Sequence, residues 1–296
     1  MPRPLRPDLP DTYYHVMNRG IDHSAVFLDA SDRVEFGQRL GDMYERFGIK
    51  THAYCLMTTH YHLLLECPNG QLSEAMQRLG SLYTRHVNDR LGRDGALFRG
   101  RFASRVVVND EYLVAACRYI HRNPLDLPGV SGPEQYRWSS HRTYLGARST
   151  PPWMRTDEVL THWNGDVAAF DAFVRCESVD VDPALVDGPY LHALVAACAM
   201  TLDERDIEGA AGRLAQLLVL GWARDSGVAP GVVMEAFAVP TLGALHSAGH
   251  RARKRVVTEP SLDTVVRRAV NLMAAPGRSR LGSDPWSDQS AARAAS

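Results

Sequence analysis

Residues 58–66 of the chain, TTHYHLLLE, place a short apolar run directly after a pair of histidines. The run ends at residues 67–70, CPNG, a turn signal, and this pattern predicts a buried strand. Side chains two apart on a strand point to the same face, so His60 and His62 project together while Tyr61 points away. Two imidazoles on one face can bind one metal ion, and two hydrogen-bonded histidines at a strand end are the alternative.

The segments on either side of this strand alternate between strand and helix patterns. Further strands are predicted at residues 13–18, 49–57 and 105–108, and helices at residues 31–47, 73–91 and 109–123. Ser31 is the predicted N-cap of the first helix and Gly48 its predicted stop. The order strand, helix, strand, strand, helix, strand, helix predicts an α+β fold with an antiparallel sheet, in a ferredoxin-like or RNA-recognition-like sandwich.

Composition sets broad limits on the class of protein. The chain has 296 residues, 45% of them hydrophobic, which predicts more than one domain, and its net charge of -1 favours no class of partner. Five scattered cysteines without a CxxC pair argue against a disulfide framework or a zinc-thiolate site and suit a reducing compartment. We find no signal peptide and no membrane-spanning run, so we expect a cytoplasmic protein.

The second half of the chain differs in character from the first. Residues 149–275 are rich in Ala, Leu and Val and predict a mainly α-helical domain. Residues 227–255 predict a short helix, a tight turn near Val239 and Pro240, and a helix ending in a basic cluster, which is a candidate helix-turn-helix. Gly243 and Gly249 argue against it, because glycine lowers helix propensity. A generic helical bundle with a solvated basic end is the alternative.

The two ends of the chain and one central stretch complete the pattern. Residues 1–12 are predicted to be a flexible proline-rich arm, and residues 276–296 a disordered tail. Between residues 98 and 105, Arg99, Arg101 and Arg105 are interleaved with Phe98 and Phe102. That pattern suits a groove that holds a phosphate backbone and stacks bases. An edge strand with solvated arginines explains it equally well.

Residues 13–146 resemble the single-tyrosine HUH transposases, and most of all the branch called REP-associated tyrosine transposases. The motifs that carry the resemblance are YHVMNRG (residues 14–20), MTTHYH (57–62), LFRGR (97–101), YIHRNP (119–124), WSS (138–140) and YLG (144–146). The resemblance implies a ferredoxin-like HUH domain over residues 13–148. One departure is Asp126, which stands where many relatives carry a basic residue.

The resemblance also implies which residues form the site. Tyr119 would be the nucleophile, and His60, His62 and Asn123 would bind a divalent metal, Mg2+ or Mn2+. Tyr119 and Asn123 are four residues apart and therefore neighbours on one helix face. Imidazole ligands make Mn2+ a suitable occupant. We expect contacts to the DNA backbone from Arg99, Arg101, Arg105 and Arg122, and packing or supporting roles for His15, His52 and His121.

The implied activity is that of an endonuclease and strand transferase. Such an enzyme cleaves and rejoins single-stranded DNA, here hairpin-forming repeats, through a 5′-phosphotyrosine and a free 3′-hydroxyl. It would act as a monomer or homodimer without a membrane partner. A domesticated sequence-specific DNA-binding regulator without strand transfer is the main alternative, and a metal-dependent RNA-binding or nuclease module is the third. The complete set of Tyr119, His60, His62 and Asn123 favours the enzyme.

Overall fold

The computed structural model describes residues 8–107, 109–175, 186–203 and 211–273. The chain divides into two compact units, Met1–Arg175 and Cys176–Ser296. The predicted tail and the first seven residues of the predicted arm lie outside the described residues. None of the helices in the described ranges has the length and apolar character that a membrane span needs.

The first unit is built on a four-stranded antiparallel sheet. Its strands are β1 (Pro10–Arg19), β2 (Lys50–Leu56), β3 (His60–Asn69) and β4 (Ala103–Val106), in the order β2-β3-β1-β4. Helix α1 (Ala30–Phe47) follows β1, and helix α2 (Leu72–Leu91) follows β3. This β-α-β-β-α-β order with β1 and β3 in the middle is the ferredoxin-like arrangement, so the predicted fold class is confirmed.

Local signals set the limits of α1. The predicted N-cap at Ser31 is wrong, because the Asp29 carboxylate accepts hydrogen bonds from the backbone N–H groups of Ser31 and Asp32. The predicted stop at Gly48 is confirmed, and this residue adopts the left-handed conformation with φ 68. A glycine reaches that region without steric cost, which is why the helix ends there and β2 can begin.

The two faces of β3 pack against different helices. Tyr61 is 1% exposed, and its ring centroid lies 4.8 Å from that of Phe36 in α1. Tyr83 of α2 packs on Phe36 and donates a hydrogen bond from its hydroxyl to the carbonyl of Val26. The opposite face carries His62, which contacts the third helix. The strand is therefore buried on both sides, as its continuous apolar run predicts.

The third helix, α3 (Asp110–Arg122), covers the face of the sheet that carries the histidines. Asn109, the first residue of the helix predicted at residues 109–123, caps it by accepting a hydrogen bond from the Tyr112 N–H. A 3-10 turn, Asn123–Asp126, replaces the helix at the predicted point. Pro124 brings this about, because its nitrogen has no N–H to donate to the hydrogen-bond ladder of the α-helix.

The outer face of α3 packs on three short helices, α4 (His141–Tyr144), α5 (Asp157–Thr161) and α6 (Val167–Arg175). His121 lies in that layer, with its Nε2 2.8 Å from the Ser140 hydroxyl and its ring against Tyr144 and Phe170. The first unit thus runs to Arg175, past the boundary that the sequence suggested at residue 148. The reason is that Phe170 completes the hydrophobic layer on α3.

The second unit is helical throughout its described residues. Its helices are α7 (Gly188–Asp203), α8 (Ala211–Asp225), α9 (Pro230–Ala236), α10 (Leu242–Thr258) and α11 (Ser261–Met273). This confirms the predicted helical character. Residues 176–185 and 204–210 of the predicted helical domain lie outside the described residues.

The buried His121 makes the stability of the first unit depend on pH. Burial, together with the neighbouring His141, lowers the pKa of His121 well below its usual value. The folded imidazole stays neutral, whereas the unfolded one gains a proton below about pH 6.5. Stability is therefore fully present above that pH and falls as the pH drops. We would measure the free energy of unfolding by urea at pH 7.5 and at pH 5.5. We expect the decrease between the two pH values to be about 1 kcal/mol smaller in His121→Gln than in the wild-type protein.

The same change at an exposed histidine is the matched control. His246→Gln should retain the pH dependence of the wild-type protein, because the exposed His246 side chain has little burial to lose on unfolding. An unchanged pH dependence in His121→Gln would contradict the assignment of this effect to the buried imidazole.

Candidate active site

Three histidines meet on the α3 face of the sheet. His60 and His62 lie two apart on β3 with ring centroids 5.2 Å apart. His15 of β1 stacks on His62, and its Nε2 lies 3.1 Å from the Nδ1 of His62. His15 and His62 are 3% and 1% exposed, so this contact lies inside the fold. It fixes the orientation of the His62 ring.

Asn123 meets His60 at the end of α3. The Oδ1 of Asn123 lies 3.2 Å from the Nε2 of His60. Two ligands at adjacent corners of an octahedron with bonds of about 2.1 Å are about 3 Å apart, so this spacing suits one shared ion. The donor set, two imidazoles and an amide oxygen, fits Mn2+ or Mg2+ and carries no negative charge. The structure thus brings the three predicted metal ligands, His60, His62 and Asn123, to one place.

Tyr119 lies directly against the histidines. Its ring is edge-on to His62 at 5.3 Å and to His15 at 5.8 Å, measured between centroids. Tyr119 is 0% exposed, whereas His60 is partly exposed. A phosphate arriving from solvent would reach His60 first. The Tyr119 hydroxyl is thus closed to solvent in this conformation of α3.

Two of the predicted DNA-contacting arginines lie at the His60 end of the sheet. Residues 97–101 continue along the end of β1, where the Arg99 N–H donates to the Arg19 carbonyl over 2.9 Å. Arg19 is in turn the β1 partner of His60 on β3. Arg99 and Arg101 are exposed. Arg19, Arg99 and Arg101 thus form a basic rim beside His60.

The other two predicted arginines lie elsewhere. Arg105 of β4 pairs with His15 of β1, so its side chain is on the histidine face of the sheet. Arg122 donates from Nη1 to the Val174 carbonyl over 2.7 Å, so α6 holds its guanidinium. Contact of Arg105 and Arg122 with DNA stays a prediction.

The predicted role of the aromatic residues in base stacking is wrong. Phe98 is 8% exposed and packs on Tyr61 and Tyr83, and Phe102 is 7% exposed. Both rings belong to the hydrophobic core, so they offer no face to a base. The alternation of arginine with phenylalanine reflects a segment with one buried and one solvated side.

Sequence reasoning gave His15 only a packing or supporting role and did not give Arg19 a place in the site. Both belong to residues 14–20, YHVMNRG, which form most of β1. The signal in the sequence is the alternation of side chains along a strand, which places His15, Met17 and Arg19 on one face of β1. Recognising it also requires the pairing of β1 with β3, which places this face beside His60 and His62.

A separate cluster of polar groups lies near the other end of β3. His52 Nε2 is 3.1 Å from Glu66 and 3.7 Å from Glu158, and these three residues could hold a metal ion by their ligand types. Lys50 already pairs with Glu66 at 2.8 Å, and the Tyr13 hydroxyl donates to Glu158. Hydrogen bonds from His52 and Lys50 outweigh burial and lower the pKa of Glu66. The group is an ion-pair network about 20 Å along the strand from His60.

Part of the chain is similar to known proteins. The family described as "Transposase IS200 like" matches residues 8–123. No curated protein matches the chain. A solved structure titled "Structure of the REP associates tyrosine transposase bound to a REP hairpin" is similar at 15% identity and a TM-score of 0.44, over 54% of this chain and 93% of that chain.

The family match begins before β1 and ends at Asn123. It therefore includes the complete sheet, the histidines of β3 and the helix that carries Tyr119. Over residues 8–123 the chain is therefore similar to the IS200-like transposases.

Proposed function

We propose that the first unit is a metal-dependent endonuclease and strand transferase that cleaves and rejoins single-stranded DNA through Tyr119. The observation that supports this best is the contact of the Tyr119 ring with His62, beside the 3.2 Å approach of His60 to Asn123. The proposed nucleophile and the proposed metal ligands therefore lie side by side. The match of residues 8–123 to the IS200-like transposases supports the DNA substrate.

The metal site would consist of His60, His62 and Asn123. None of the three ligands carries a negative charge, so the site keeps the positive charge that attracts a phosphate. When bound, a divalent ion would polarise the scissile phosphate as a Lewis acid. His15 holds the His62 ring through the 3.1 Å contact between their nitrogens. Such supporting contacts tune metal affinity in proteins.

Tyr119 would supply the nucleophile. A free phenol has a pKa near about 10, so the hydroxyl must give up its proton as it attacks. The Tyr119 oxygen forms the new bond to phosphorus, and the bond to the 3′-oxygen breaks. The leaving 3′-oxygen takes up a proton and becomes a hydroxyl. Because the phosphotyrosine is again a phosphodiester, a second 3′-hydroxyl can reverse the step and join new ends without ATP.

The basic rim of Arg19, Arg99 and Arg101 would hold the DNA backbone beside His60. Arginine neutralises phosphates without reading sequence, so this contact gives affinity and position. The resemblance of residues 13–146 to REP-associated transposases favours hairpin-forming repeats as the substrate. It leaves monomer and homodimer as alternatives, because α3 can serve its own site or that of a second copy.

A second candidate function is a DNA-binding regulator without strand transfer. The observation in its favour is the complete burial of Tyr119. A regulator would keep the family fold and the basic rim while its tyrosine serves as a packing residue. The two candidates differ in a single outcome, which is whether a covalent bond to DNA forms.

Covalent trapping decides between the two candidates. We would incubate the full chain with single-stranded DNA from the repeats that flank its gene, with Mn2+ or Mg2+, and analyse it on a denaturing protein gel. We expect a shifted protein–DNA band that chelator abolishes and that Tyr119→Phe lacks. Tyr112→Phe is the matched control, since Tyr112 is also a fully buried tyrosine of α3. It should retain the band.

If retarded DNA appears on native gels but no metal yields a covalent band, the regulator becomes the better assignment. A band that persists in Tyr119→Phe would mean that another residue attacks the phosphate.

The His15–His62 contact predicts an effect on metal affinity. His15→Phe keeps a ring in place but removes the nitrogen that contacts His62. We expect Mn2+ affinity, measured by titration calorimetry, to fall about tenfold or more. Tyr119→Phe should leave the affinity unchanged, and His60→Ala should abolish binding. Wild-type Mn2+ affinity in His15→Phe would contradict the positioning role of His15.

A further inference from the structure

Helices α8, α9 and α10 of the second unit form a close-packed group. α9 and α10 are separated by residues 237–241, where Ala238 has φ 49 and Thr241 caps α10 by accepting from the Ala244 N–H. α10 packs against α8 so closely that a Cβ on Gly221 would lie 2.5 Å from that of Ala252. Gly249 meets the Arg224 guanidinium in the same way, so that glycine serves packing and α10 continues through it.

α10 has one buried and one exposed side. Leu245, Ala248, Gly249 and Ala252 are buried at helical spacing. On the exposed side are two adjacent columns at intervals of four residues: His246, His250 and Lys254, and Ser247 and Arg251. The exposed side is therefore made of hydrogen-bonding and basic side chains. The exposed large apolar residues, Leu242 and Val257, lie at the two ends of the helix.

The charge on this side is positive. α10 contains Arg251, Arg253, Lys254 and Arg255 and no acidic residue. Arg253 pairs with Asp225 of α8 at 3.0 Å, and Arg255 lies 4.0 Å from Glu259. Within residues 8–107, 109–175, 186–203 and 211–273, neither Arg251 nor Lys254 takes part in an ion pair. These two cations are available to an anionic partner.

We propose that α10 binds duplex DNA by lying in its major groove. Seventeen residues give a helix of about 25 Å, and a major groove about 12 Å wide admits one helix. Arg251 and Lys254 would contact phosphates, while Ser247 and His250 would face the edges of the bases. A short helix, a turn and a second helix with an exposed polar face is the arrangement that such contacts use.

This surface is independent of the chemistry at Tyr119. It belongs to the second unit, and it would bind duplex DNA whether or not the first unit cleaves single strands. Together the two activities would suit a substrate that offers a duplex and a single-stranded segment in one molecule.

The test measures duplex binding by the full chain. We would follow fluorescence anisotropy of a labelled 20-base-pair duplex of mixed sequence at several salt concentrations. For the double variant Arg251→Ala/Lys254→Ala we expect the Kd to rise at least about tenfold. The plot of the logarithm of the association constant against the logarithm of the salt concentration should become shallower by about 2. The matched control Arg213→Ala/Arg267→Ala removes two exposed cations from α8 and α11. It should change the Kd by less than about twofold.

Wild-type affinity in Arg251→Ala/Lys254→Ala would overturn the proposal. An equal loss of duplex affinity in both double variants would also overturn it, because α10 would then contribute no more to binding than α8 and α11. Tighter binding of a duplex RNA of the same sequence would assign the face to RNA instead. Covalent trapping on a short single strand is measured in the same variants. Trapping without duplex binding rejects this proposal alone, and duplex binding without trapping rejects the strand-transfer chemistry alone.

Discussion

The alternation of side chains along β3 is the constraint on which the rest of the first unit depends. Tyr61 packs on Phe36 and so fixes which face of the strand belongs to α1 and α2. His60 and His62 must then face α3, where Asn123 and Tyr119 meet them. A shift of one residue in the pairing of β3 would reverse both faces and bury the histidines among the apolar side chains of the core.

The sequence predicted what depends on local pattern. The sheet and α3 follow from strand period, a cap at Asn109 and a proline after the helix. The meeting of His60 with Asn123 was implied by the resemblance to single-tyrosine transposases. The burial of Phe98 could not be predicted, because it arises from contacts with Tyr61 and Tyr83, which are distant in sequence. Burial of Tyr119 is a tertiary property for the same reason.

The two units illustrate different uses of small and polar residues. In the first unit, His15 and His121 are buried and their nitrogens lie beside other polar atoms, which fixes the orientation of both rings. In the second, Gly221 and Gly249 allow α8 and α10 to approach closely. A glycine that weakens the helix in isolation thus strengthens the packing that holds it.

Identifying the residue that bonds to DNA tests the central claim most directly. Trypsin cleaves after Arg118 and Arg122 and so releases residues 119–122, YIHR, which contain Tyr119 as the sole tyrosine. After metal-dependent reaction, nuclease digestion and mass spectrometry, we predict a nucleotide phosphate on this peptide at Tyr119. A nucleotide on a different peptide, or an adduct-free protein after DNA cleavage, would contradict Tyr119 as the nucleophile.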